Sequence, residues 1–201
     1  MHLSTTELAE IVSTRTCHDL IGNIGTLKNV LEFVEPNAAV DEDTKNLLEN
    51  VSFLLNARQK FFRVAFGLTT QAQNTEELLK LCTDYLSTVG TRGYSITLDL
   101  QGGTPQLSKL ICLCVMIAAD VFIRGGSVKI NINKNNITIN ALTDFKFNEN
   151  EIADYQKILQ NEKPAGNLSQ YAQLLYLRQI LDADVPIKLT ATGNEMTMVI
   201  G

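Results

Sequence analysis

"RTCHDLIGNIGTLKNVLEF" (Arg15–Phe33) reads as helix at both ends, yet it holds Gly22, Gly25 and His18, one of two histidines in 201 residues. A glycine inside a helix costs about 1 kcal/mol relative to alanine. On a wheel turning about 100° per residue with His18 at zero, Cys17, Leu20, Ile24, Leu27, Leu31 and Val34 gather at roughly 160–260° as an apolar stripe. Gly22, Gly25 and Asn29 fall within about 40° of His18, on the other side. The stripe has no use for these glycines. They strip the surface beside the imidazole, so that another macromolecule can approach the ring. The plain alternative is a solvated histidine on an ordinary helix face, and the bare neighbours together with Asp19 count against it. His2 is terminal and is set aside.

Outward from this stretch, helical periodicity runs over residues 4–35 and again over 41–68. "EPNAAV" (35–40) lies between, with Pro36 and Asn37 stopping the first helix. At 1.5 Å per residue that helix would be about 45 Å long. Asp41 or Asp43 can cap the second. Its apolar positions Leu47, Val51, Leu54, Leu55, Phe61, Phe62, Ala65 and Leu68 recur at three- and four-residue steps. The two helices form an antiparallel hairpin in which residue i faces about 76 − i, so His18 is level with Arg58 and near Lys60 and Arg63. This local basic cluster suits an anionic group or an acidic partner, though a solvated face would read the same way. A two-helix hairpin cannot bury its own apolar surface. A second copy would complete a four-helix bundle.

From residue 71 the pattern changes. A helix over 75–89 stops at Gly90, and "YSITLDL" alternates as a half-buried strand. A helix over 106–122 includes the apolar run "LICLCVMIAADVFI" (110–123), too short to span a bilayer and read as buried. After "RGG", the strands "SVKININ" and "NITINAL" turn at Lys134–Asn136. Helices over 149–161 and 168–182 lead to "PIKLTAT" and "EMTMVI", joined at Gly193–Asn194. The expected class is α+β: a helical hairpin (1–70), then an α/β sandwich (71–201) with helices on one face of a mixed sheet.

Composition sets limits. Hydrophobic residues make up 45% and charged ones 19%, as in soluble globular proteins. A net charge of −5 offers no basic field for nucleic acid. No membrane span and no signal peptide is expected, since Glu7 and Glu10 interrupt the start. Cys17, Cys82, Cys112 and Cys114 lack metal-like or redox-like spacing and read as reduced thiols in a cytoplasmic protein.

"CHDLIGNIGTLKNVLEF" (17–33) resembles the histidine box of the ChpT-like histidine phosphotransferases, and "FFRVAFG" (61–67) resembles that family's second signature. Asn23 stands where many members carry proline. The resemblance implies a homodimeric phosphorelay intermediate with a degenerate histidine-kinase-type ATPase domain. His18 would take a phosphoryl group from one receiver aspartate and pass it to another, with Asp19 accepting a proton or orienting the ring. Arg15, Gly22, Gly25, Asn29, Arg58 and Arg63 would meet the receiver. Partners would be response-regulator receiver domains, including that of a hybrid histidine kinase. Mg²⁺ would sit on the receiver, leaving this chain without cofactor or metal.

The rival readings are an active histidine kinase and a binding scaffold that uses the same hairpin. Against the kinase, "LCVMIAADVFIRGG" (113–126) has no asparagine for Mg²⁺, leaving Asp120 as its polar candidate. "TDFKF" (143–147) keeps Asp144 but neither glycine of a DxGxG turn. The lid region "KPAGNLSQYAQLL" (163–175) has one glycine, Gly166. Phosphate cradles need the close backbone approach that glycine permits.

Overall fold

The computed structural model describes residues 3–32, 34, 40–68, 72–89, 94–122, 125–133 and 136–201. Pro36 and Asn37, Gly90, Arg124 and the hinge residue Lys134 lie outside the described residues, as does the expected boundary at 70–71.

Helix α1 spans Thr5–Glu32. It opens with a reciprocal cap: the Glu7 amide donates to Ser4 Oγ (3.2 Å) and the Ser4 amide donates to Glu7 Oε2 (2.8 Å). Helix α2 (Glu42–Phe66) starts at Asp41, whose carboxylate accepts from the Thr44 amide at 2.8 Å. The two pack against each other as the expected hairpin. Then follow α3 (Thr75–Val89), β1 (Ile96–Gln101), a 3₁₀ turn (Pro105–Leu107), α4 (Ser108–Asp120), β2 (Gly126–Asn133) and β3 (Asn136–Leu142). The chain ends with α5 (Glu149–Leu159), a 3₁₀ turn (Leu168–Tyr171), α6 (Ala172–Ile180), β4 (Ile187–Thr192) and β5 (Glu195–Ile200).

The sheet order is β1-β2-β3-β5-β4, with β1 and β2 parallel and the remaining pairs antiparallel. It is the mixed sheet expected. Gly193, at φ +63°, opens the two-residue β4–β5 turn in a conformation that glycine adopts without strain. Alternation sorts the faces: Val128, Ile130, Ile139, Ala141, Met196 and Met198 are buried, while Thr97, Asp99, Lys129 and Thr190 are exposed. Buried α4 lies at the centre, with Ile111 through Ala119 inaccessible to solvent or nearly so. There burial pushes the Cys114 thiol up to about 12, which suits an inert packing residue.

The hairpin's base belongs to this same core. Phe61, Phe62, Val64 and Ala65 of α2 and Leu8 of α1 join Leu78, Tyr85 and the α4 residues in one cluster. Phe61 stacks on Tyr85 with ring centroids 3.8 Å apart. Toward its tip the hairpin has less cover. Of the expected stripe on α1, Leu20 and Leu27 are half-buried, whereas Cys17, Ile24 and Leu31 are exposed. The covered side of α1 instead centres on Leu8, Val12, Asp19, Asn23 and Val30. One neighbouring helix shields only part of another's perimeter, and the wheel does not say which flank it takes.

Candidate functional site

His18 stands in the middle of α1 with its side chain 84% exposed. A Cβ added at Gly22 or Gly25 would meet nothing within 4 Å, and Asn29 is exposed on the same side. The strip beside the imidazole is as bare as the wheel implies. Arg63 and Lys60 of α2 are also exposed.

Asp19 lies about 100° around the helix, on the side facing the body of the protein. Its Oδ1 is 3.5 Å from His18 Nδ1, the outer limit of a hydrogen bond. Its Oδ2 accepts from Arg15 Nε at 2.7 Å.

Two expected docking residues are engaged within the chain. Arg15 is 15% exposed, and Nη2 donates to Asp120 Oδ1 at 2.7 Å while Nη1 donates to the Gln170 carbonyl at 3.0 Å. Burial works against its charge, but Asp120 and Asp19 outweigh this and raise its pKa. Arg58 is level with His18 as the register requires, but it points inward. It donates to the Asp19 carbonyl, to Thr88 Oγ1 (3.0 Å) and to the Thr88 carbonyl (2.8 Å). Neither guanidinium is free to meet a partner, because each is already bonded to acceptors within the chain, most of them partly buried.

Beyond Arg15 lies a cleft of about 660 Å³ lined by Asp120, Asn148, Glu151, Asp154, Gly166 and Tyr171, among others. It runs between the end of α4 and the lid-like segment, where the family resemblance would put a nucleotide. Its lining is acidic: burial pushes Asp120 up to about 6 against the pull of Arg15, and burial with nearby Asp120 pushes Glu151 up to about 7. The amides of Ala165 and Gly166 both donate to Asp154, at 2.9 Å each, and the Tyr171 hydroxyl donates to it at 3.0 Å. Burial disfavours the Asp154 charge, but those donors and Lys157 prevail and hold its carboxyl down at about 2. Asp144 is exposed elsewhere, beside Tyr94, Ser127 and Thr143.

The wheel could not find the bonds made by Asp154 or the Arg15–Asp120 pair, since both depend on contacts distant in sequence. The one local hint was the i, i+4 pairing of Arg15 with Asp19. Among the described residues, no three His, Cys, Asp or Glu side chains are grouped to hold a metal ion, and no helix is long and apolar enough to cross a membrane.

No family model matches the chain. It is 28% identical over 137 residues to the protein phosphotransferase ChpT of Brucella abortus, covering 65% of this chain and 63% of that protein, so it spans less than two-thirds of that relative's length. A solved bacterial phosphotransferase superposes with a TM-score of 0.76 at 22% identity, over 100% of this chain and 98% of that one. The histidine kinase AdeS of Acinetobacter baumannii gives a TM-score of 0.42 at 14% identity, over 91% of this chain and 95% of that one. In sequence the chain is thus similar to a ChpT phosphotransferase, and in fold to a bacterial phosphotransferase, as its histidine box leads one to expect.

Proposed function

We propose that the chain is a histidine phosphotransferase of a phosphorelay, shuttling a phosphoryl group between receiver-domain aspartates through His18. The observation that carries this reading is His18 itself: an almost fully exposed imidazole on a glycine-stripped strip, with a carboxylate beside Nδ1. With Nδ1 protonated, the Nε2 lone pair attacks the phosphorus of a receiver's aspartyl phosphate. The P–O bond breaks, and its electrons return to the receiver carboxylate. The ring gains positive charge, which Asp19 offsets. Transfer to the second receiver reverses these steps. Positioning and charge neutralisation dominate such chemistry, and the receiver is expected to bring Mg²⁺.

The cleft supports transfer without a nucleotide. A phosphate chain needs free amide donors and a positive field. Here the amides of Ala165 and Gly166 are spent on Asp154, and Arg15 is spent on Asp120 and Asp19. Gly22, Gly25, Asn29 and Arg63 would face the receiver, with the partner receivers including that of a hybrid histidine kinase. The exposed Ile21, Ile24, Leu31, Leu47 and Phe53 would be covered by a second copy, completing a four-helix bundle in a cytoplasmic homodimer.

The test is incubation with a phosphorylated receiver domain. Label on this chain should be acid-labile and alkali-stable, and lost in His18→Ala. Equal labelling of His18→Ala overturns the assignment, and autophosphorylation from ATP alone would favour the kinase reading.

A further inference from the structure

We propose that Arg15 is a positioning residue, clamped by the second half of the chain so that it holds Asp19 against the His18 ring. This rests on the phosphotransfer reading above. Arg15 uses all three guanidinium nitrogens: Nε on Asp19 Oδ2, Nη2 on Asp120 Oδ1 and Nη1 on the Gln170 carbonyl. The fork is rigid and planar, so fixing two of its ends fixes the third. The second oxygen of Asp120 accepts from Gln173 Nε2. Gln173 is fully buried, and its amide nitrogen also lies within reach of the Tyr155 hydroxyl (3.2 Å) and the Gln170 carbonyl (3.3 Å), which share its second hydrogen. Asp120 thus has both oxygens occupied and little freedom to move.

From the other flank, Arg58 holds the backbone of the same residue through the Asp19 carbonyl and is itself fixed on Thr88 at the end of α3. Residue 19 is therefore tied at its carboxylate to α4 and the segment before α6, and at its carbonyl to α2 and α3. This leaves Oδ1 directed to Nδ1 of His18. A carboxylate held there keeps the proton on Nδ1 and the lone pair on Nε2, the tautomer that attack on phosphorus needs. A receiver-docking cation would instead be exposed and unpaired.

The experiment compares the unsubstituted chain with Asp120→Asn, Arg15→Met and the milder Arg15→Lys, which keeps the charge but loses the fork. Transfer from a phosphorylated receiver is measured against receiver concentration. The His18 tautomer ratio is read by ¹⁵N NMR in a His2→Gln background, at a pH where the ring is neutral. We expect the maximal rate to fall about tenfold or more in Asp120→Asn and Arg15→Met, the scale lost when a partner orienting a functional imidazole is removed. Receiver KM should stay within about twofold, and the Nδ1-protonated fraction should drop, with Arg15→Lys intermediate. If the first two variants fail to fold, Arg15→Lys decides by the same readouts.

An unchanged maximal rate in a folded variant, a rise in KM alone, or an unchanged tautomer ratio overturns the proposal. If wild type takes no label, the phosphotransfer reading is what fails. The tautomer ratio needs no turnover and still decides whether Arg15 sets the ring.

Discussion

At its base the hairpin places Phe61, Phe62, Val64 and Ala65 in the core, each at most 5% exposed, whereas toward the tip Ile24, Leu31, Leu47 and Phe53 stand 44–53% exposed. Both ends come from one amphipathic pattern. Helix α2 packs on α3 and α4 and helix α1 on α6, and the described apolar side chains toward the tip are the less covered ones. The pattern specifies that an apolar face exists, and topology decides whether the chain itself covers it. His18 lies between the two regimes, close enough to the base for Asp19 and Arg15 to be clamped and far enough out for the ring to be open.

The sharpest way to break this contrast is truncation at each end. Phe61→Ala removes a buried ring stacked on Tyr85 and should cost about 3–5 kcal/mol of stability in denaturant melts. Phe53→Ala should cost the isolated chain far less. If the two losses are alike, the tip is not the open end described.

At the tip the expected effect is on association. Ile24→Glu should leave the fold intact by circular dichroism and weaken the proposed dimer by about 2 kcal/mol, roughly thirtyfold in Kd by sedimentation. An unchanged dimer would place the second copy elsewhere.

The cleft gives a pH test. The Asp154 carboxyl is held below its ordinary range, so its contribution is fully present above about pH 4 and is lost as pH falls through about 2. Hydrogen exchange at Ala165 and Gly166, normalised for the intrinsic rate, should quicken over that window in wild type. Asp154→Asn should exchange faster at neutral pH as well.

The smallest stability change belongs to the bare strip. Gly22→Gln should raise helix stability by up to about 1 kcal/mol while slowing transfer. A stabilised variant with undiminished transfer would remove the reason for the glycine.

Much of the fold was legible because it is locally encoded. Three- and four-residue steps mark α3 at Thr75–Val89, and strict alternation marks β2, β3 and the β4–β5 hairpin. The helix expected over 106–122 is divided, since Pro105 opens a 3₁₀ turn before α4 begins at Ser108. The direction of His18 and the height of Arg58 also followed from period and register. The fate of the arginines did not. Arg15 and Arg58 carry the same charge signature as exposed Arg63, and only contacts with Asp120, Gln170 and Thr88 turn them inward. The two flanks of the α1 stripe likewise differ only in what the fold places against them.

The most direct measurement is a reconstituted relay, in which a phosphorylated receiver domain and an unphosphorylated second receiver are mixed with and without this chain. Label should reach the second aspartate only when the chain is present, through a phosphohistidine at His18. Transfer that proceeds equally well with His18→Ala would contradict the account.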